Sequence, residues 1–249
     1  MLLEIGQDFC FYAYLDSQAK KFGLIRYLSF AELESEGKLD QIVQELKKDQ
    51  FQKVIVCSAF AQALLVPQQH FKADDLLTAL VYDSVAHKQL SDKVPEWQLV
   101  TSYSIPASIF DAVSSAFESV QFFHAYTPAL KIYNGFVSGN QLDIHFTTSY
   151  FRVLVKKNNQ VLLAQTYSYK TPLDVVYYLL KICYEFKFEQ SELLLVISGL
   201  IDQESAMYHE LHNYFLNLHF AKAPSYSLPD TEHPHYYFTS LYNLAACVS

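Results

Sequence analysis

Apolar side chains fill both phases of the alternation between residues 9 and 15: Phe9, Phe11, Ala13 and Leu15 interleave with Cys10, Tyr12 and Tyr14. A strand that is apolar on both faces belongs in the middle of a sheet covered on both sides. Residues 2–5 and 22–29 read as its neighbours. Leu39, Ile42, Val43 and Leu46 then recur at helical spacing, and 54–58 forms a short buried strand. A capping-box match at Ser29 and Glu32 would start the helix early, whereas Gly37 favours a later start. The same succession returns in the second half. Residues 142–147, 150–156 and 161–168 predict three strands, 172–186 a helix, and 193–198 a very apolar strand that ends at Gly199.

Between these blocks the spacing predicts a strand over 63–66, a helix over 74–90, a strand over 98–103 and a helix over 106–117. Pro106 sits at the first turn of that last helix, and Ile109, Phe110, Val113 and Phe117 form its inward face. Asn134-Gly135 and Gly139-Asn140 are strong turn signals and place a boundary between a first domain, 1–134, and a second, 135–249. A helix over 203–217 follows, with Met207, Leu211, Tyr214, Phe215 and Leu218 on one face. A proline-bearing loop over 223–234 and a final helix over 236–247 complete the chain.

The helix over 172–186 has a well-marked start, with Thr171 as cap, Pro172 at the first position and Asp174 at the third. Its polar positions, Asp174, Tyr178, Lys181 and Glu185, make only a narrow stripe. A helix lying on one sheet face needs an apolar arc of about 100°. This one exceeds it, so Val175, Val176, Leu179, Ile182 and Phe186 mark an interaction helix, covered by the other domain or by a partner subunit.

Composition narrows the function classes. The chain of 249 residues is 51% hydrophobic and 16% aromatic, so disorder is excluded and some aromatic surface is expected to meet a partner. A formal charge of −8 argues against nucleic acid and anionic membranes as partners, because both need basic patches. The basic pairs Lys47 with Lys48 and Lys156 with Lys157 read as solvated ends of elements. Cys10, Cys57, Cys183 and Cys247 are scattered through apolar runs, which suits reduced thiols and a cytoplasmic location. The N-terminus resembles no signal peptide, and no stretch is long and apolar enough to insert in a membrane.

Candidate chemistry is sparse. Walker A, G-x-G-x-x-G, G-x-S-x-G and H-E-x-x-H motifs are all missing from the sequence. Ser198-Gly199 has the form of a nucleophile turn, but no histidine is expected to serve it. His209 and His212, three apart on one helix, point to solvent, and no metal site is expected. Asp143, Asp174 and Asp202 lie roughly where a two-magnesium nuclease keeps its carboxylates, yet Asp174 and Asp202 serve better as helix caps.

Three meandering strands, a crossover helix and a buried fourth strand form the kernel of a ribonuclease-H-like domain. Two copies predict an α/β fold with two mixed five-stranded sheets flanked by helices, the duplicated architecture of the actin-like ATPases. The run LLAQTYSYKTPLDVVYYLLKICYEF with the following SGLI, and the motifs LLVPQQHF and HYYFTSLYNLAAC, resemble an uncharacterised bacterial family of the actin-like ATPase superfamily. The resemblance covers nearly the whole chain and supplies no reaction. It implies a nucleotide site between the domains, with Mg-ATP held by a glycine-bearing hairpin in each domain and a glycine turn for the adenosine. Carried over, these are Gly6 and Asp8, Asp143, and Ser198 with Gly199. The second hairpin lacks a glycine and the first lacks the usual order. The sequence therefore favours a non-catalytic scaffold that needs no cofactor and works through a protein partner or self-association. A divergent nucleotide-binding ATPase or kinase relative is the alternative.

Overall fold

In a computed structural model of the chain, residues 1–30, 35–72, 86–132, 139–222, 224–229 and 231–248 are described. The first sheet is built from β1 (Leu2–Ile5), β2 (Phe9–Asp16), β3 (Lys21–Ser29), β4 (Val54–Ser58) and β8 (Val120–His124), in the order β3-β2-β1-β4-β8. The second contains β9 (Asn140–Phe146), β10 (Tyr150–Lys157), β11 (Gln160–Ser168), β12 (Leu194–Gly199) and β13 (Asn217–Phe220), in the order β11-β10-β9-β12-β13. In both, the first three strands pair antiparallel and the last two join in parallel. The mixed α/β class and the two five-stranded sheets expected from the sequence are thus observed.

Parallel neighbours cannot be joined by a tight turn, so a crossover helix precedes the fourth strand of each sheet. These are α1 (Ser35–Leu46) and α4 (Pro172–Phe186). Leu39, Val43 and Leu46 of α1 join Leu3, Ile5, Val54 and Val56 in one core. Val175, Val176, Leu179, Ile182 and Cys183 of α4 join Leu142, Ile144, Val153, Leu195 and Ile197 in the other. Among the described residues the remaining helices are α2 (Ala107–Ala116), α3 (Tyr126–Lys131), α5 (Ala206–Tyr214) and α6 (Thr239–Ala245), with three-residue or four-residue 3-10 turns elsewhere.

Several elements depart from the sequence reading. A third, three-stranded sheet of order β5-β7-β6 is formed by β5 (Ala63–Pro67), β6 (His87–Val94) and β7 (Leu99–Pro106). Residues 87–90 are therefore strand, because each pairs with β7; the rest of the helix expected from 74, up to 85, lies outside the described residues. The helix expected over 203–217 stops at Tyr214, and β13 follows at once, paired with β12. Its cap is Ser205, whose hydroxyl accepts the Tyr208 N–H, and not Asp202. The early capping box and the Asn134-Gly135 turn involve residues outside the described set.

The chain divides into two compact units: unit 1, Met1–Tyr133, Ser225–Thr231 and Ser240–Ser249, and unit 2, Asn134–Pro224 and Glu232–Thr239. Unit 1 is closed by a returning segment. Phe22 of β3 donates its N–H to the Ser227 carbonyl at 2.8 Å and packs its ring against Tyr226 and Tyr242.

A buried polar knot ties the three-stranded sheet to the first five-stranded one. The Asp92 carboxylate accepts from the His124 N–H (2.8 Å), the Thr127 hydroxyl (2.8 Å) and the Tyr103 hydroxyl (3.3 Å). His124 in turn bridges Nε2 to the Phe60 carbonyl at 2.9 Å and receives the Tyr126 N–H on Nδ1, which fixes Nε2 as the protonated nitrogen. Loss of hydration pushes the Asp92 carboxyl up to about 6, against the pull of its three donors. The folded chain thus holds this proton more tightly than the unfolded one. The contribution of this group to stability is fully present below the ordinary carboxyl range and is lost as pH rises through about 6. The shift corresponds to about 3 kcal/mol. Urea unfolding of the parent protein and Asp92→Asn should therefore show their stability difference moving against the parent by up to that amount as pH rises. A difference that is flat with pH would mean that the knot holds an anion at no cost.

Candidate functional site

The carboxyl ends of the parallel strands are where an α/β sheet offers a ligand its backbone. In unit 2 the parallel register sets Asp143 opposite Val196, His145 opposite Ser198 and Phe146 opposite Gly199. Gly199 has φ of +83°, and a Cβ there would lie 2.1 Å from the Phe146 carbonyl oxygen. Only glycine permits this approach, and Leu200 N–H uses it to bond that same carbonyl at 2.9 Å. The glycine expected to admit adenosine is thus occupied in admitting the neighbouring strand.

Ser198 does have a histidine, contrary to the sequence expectation. His145 Nδ1 lies 2.9 Å from Ser198 Oγ, which also lies 3.3 Å from the Ile144 carbonyl. The two residues are 53 positions apart, and only the β9–β12 pairing joins them. Serine nucleophiles need a histidine whose protonated form is stabilised by a carboxylate. Here burial, with the Arg152 guanidinium as a second cause, holds His145 well below its ordinary value. The imidazole stays neutral, and the pair acts as a strand-to-strand lock.

Asp143 faces a different partner. Its carboxylate forms an ion pair with Lys156 and accepts a hydrogen bond from Gln141 Nε2. Lys156, read from sequence as a solvated end, has no exposed side-chain surface. A register shift between Val155 and Lys156 accompanies this placement near the end of β10. Asp143, Ser198 and Gly199 therefore lie on adjacent strands, each already committed to a neighbour within unit 2.

In unit 1, Gly6 and Asp8 occupy the turn between β1 and β2. Gly6 N–H bonds the Phe9 carbonyl at 3.0 Å, and a Cβ at Gly6 would meet the Phe9 ring at 2.3 Å. Asp8 is 7% exposed, and neither of its carboxylate oxygens has a hydrogen-bond partner among the described residues. Ser58, next to Ile5 at the end of β4, likewise buries a hydroxyl without a partner. Ser58 escaped the sequence reading because nothing in VIVCS distinguishes it from a strand terminus.

The interaction helix, α4, turns the expected residues inward. Val175, Val176, Leu179 and Ile182 are buried against their own sheet, and Phe186 is half-buried beside them. Tyr178 stacks on Tyr167 with ring centroids 4.2 Å apart, so it leaves the polar stripe. The large apolar side chains that the helix shows to solvent are Leu173, 58% exposed, Tyr177, 61%, and Tyr184, 85%. Asp174 closes the capping box with Thr171, and hydrogen bonds from the Lys170 and Thr171 N–H groups hold its carboxyl below the usual range. Asp202 accepts from the Tyr237 hydroxyl. His209 and His212 are exposed. Among the described residues, no group of three or more His, Cys, Asp and Glu side chains is placed to hold a metal ion, and no helix is long and apolar enough to cross a membrane.

The fold is that of the actin-like ATPases. It matches a Bacteroides thetaiotaomicron protein with actin-like ATPase fold and unknown function (TM-score 0.82, 13% identity, 99% of this chain and 95% of that one). It also matches a chain of the PilM-PilN type IV pilus biogenesis complex (TM-score 0.65, 10% identity, 98% and 97%). The ethanolamine utilization protein EutJ from Carboxydothermus hydrogenoformans aligns at TM-score 0.52 and 10% identity over 98% and 88%. No curated protein matches the sequence. Residues 1–218 match the family described as Protein of unknown function (DUF3822), and the chain belongs to that family.

Two substitutions probe whether these residues are structural. Asp143→Ala takes the carboxylate away from a buried cation and should cost about 3–5 kcal/mol, whereas Asp143→Ala with Lys156→Met should recover most of it. Chemical unfolding reads both, and a double variant as weak as the single one would count against the pairing. Gly199→Ala should cost on the order of 3 kcal/mol or more, seen as a large drop in thermal midpoint.

Proposed function

We propose that this protein is a non-catalytic member of the actin-like fold, a scaffold or interaction protein that engages other proteins and turns over no nucleotide. The observation that carries the reading is the Asp143–Lys156 ion pair. The carboxylate in the position of a magnesium organiser is neutralised by a buried lysine, and a cation added there would have to displace it. The turn after β9, Thr147 to Ser149, holds no glycine that would let backbone N–H groups reach a phosphate. An apolar exposed helix face, and the occurrence of the same fold in a two-protein complex, PilM-PilN, favour protein partners. On this reading the two sheets descend from one duplicated unit, and the protein works in the cytoplasm of a bacterium.

One observation favours the alternative, a divergent nucleotide-binding relative. The Asp8 carboxylate and the Ser58 hydroxyl are buried and have no partner among the described residues of unit 1. A buried acid without donors is costly, and a bound cation with its phosphates would satisfy it.

Calorimetric titration of Mg-ATP into the purified protein separates the two. No heat of binding is expected up to millimolar nucleotide. Micromolar binding that is lost in Asp8→Ala would replace the scaffold reading with the nucleotide-binding one.

A further inference from the structure

We propose that α4 pairs two copies of this chain, helix against helix and antiparallel, with the two-fold axis passing between Tyr177 and Leu180. The proposal rests on the scaffold reading above and names its partner: a second copy. Leu173, Tyr177, Leu180 and Tyr184 are spaced by four, three and four residues, which is the seam of a coiled coil and lies on the face away from the sheet. Leu180 is half-buried at the edge of this seam, and the other three stand open. The seam is self-complementary. Turning a second α4 end for end sets Leu173 against the partner's Tyr184, and Tyr177 against the partner's Leu180. Each of the four layers then joins one leucine to one tyrosine, a large side chain against a smaller one, with the tyrosine hydroxyls left at the wet rim.

Charge selects this alignment. The positions flanking the seam on its solvent side are Asp174 and Lys181, seven residues apart. In an antiparallel pair these flanks face each other, so Asp174 of each copy meets Lys181 of the other, twice. In a parallel pair this flank would instead face the Val176 and Cys183 flank of the other copy, and neither charge would find an opposite one. Asp174 is available for this, because its capping bonds use Oδ2 alone and its carboxyl is held ionised by them. Lys181 is exposed. The opposite flank is Val176 and Cys183, both buried in their own core, so the charged flank alone distinguishes the two alignments.

The surface available is modest. Leu173, Tyr177 and Tyr184 together offer roughly 500 Å² per copy, at the low end for a specific interface. The dimer is accordingly weak and concentration-dependent, dissociating in the micromolar range or above, and self-association rather than permanent assembly is its character.

Sedimentation velocity of the full chain over a concentration series tests it. A reversible monomer–dimer equilibrium is expected. Lys181→Glu sets a carboxylate opposite Asp174 on both sides and should weaken the dimer at least about tenfold. Tyr184→Arg should abolish it with the thermal midpoint unchanged, because the side chain it replaces is mostly in solvent. Orientation is read by oxidation. Leu173→Cys and Tyr184→Cys in the same chain should give a covalent dimer. Either alone should not, since like positions lie about 16 Å apart along an antiparallel pair and a disulfide needs Cα atoms within about 7 Å. A protein that stays monomeric at several hundred micromolar, a dimer that survives Tyr184→Arg, or a cross-link in either single variant would overturn the pairing. A monomer that is also silent to Mg-ATP removes this pairing and leaves the non-catalytic reading standing; a dimer that binds Mg-ATP does the reverse.

Discussion

Parallel pairing of the first and fourth strands is the constraint from which the rest of each sheet follows. β1 lies beside β4 and β9 beside β12, running the same way, and a chain can arrange that only by crossing over one face. The crossing is made by α1 and α4, whose apolar faces then cover the sheets. Covered strands must be apolar, which is why VIVCS and LLVISG carry so few polar residues and why those few are informative. The same pairing decides what the strand ends can do. It presses Gly199 onto the Phe146 backbone and sets His145 against Ser198.

The first four strands of each five-stranded sheet and the crossover helices were legible in the sequence because their signals are local and strong; β8 and β13 were not read. Both-phase apolar strands, helical spacing in Leu39 to Leu46, and the Thr171-Pro172-x-Asp174 start each identify an element without help from the rest of the chain. Of the three-stranded sheet, β5 and β7 were legible as strands and β6 was not. β6, HKQLSDKV, is mostly polar, and its place is fixed by β7 and by the Asp92 knot rather than by any pattern of its own. β13 is four residues long and follows a helix of similar composition, so periodicity could not separate the two.

The candidate site was legible as residue positions and illegible as chemistry. Asp143, Ser198 and Gly199 stand on strands where they were expected, but what each touches is decided by residues distant in sequence: Lys156, His145 and Phe146. A lysine at the end of a strand looks solvated until the sheet closes around it. Asp8 and Ser58 contrast with these, since there the polar groups are buried without a partner among the described residues. Unit 2 pairs Asp143 with Lys156 and Ser198 with His145, whereas unit 1, beside its satisfied Asp92, keeps acceptors that no described residue fills. For α4, counting apolar positions located an unusual helix; only the direction of each side chain separated core from surface.

The returning segment of unit 1 has a bearing on how the chain acquires its shape. Phe22 completes its surroundings with Tyr226 and Tyr242, more than two hundred positions downstream, whereas unit 2 is drawn almost wholly from one continuous stretch. During synthesis the amino-terminal sheet emerges first, yet it cannot finish its packing until that late segment has left the ribosome. The later-made unit 2 has its full set of strands and helices in hand before then. The order of translation and the order of completion are therefore opposed, and β3 spends that interval with Phe22 uncovered, a surface for chaperones to shield.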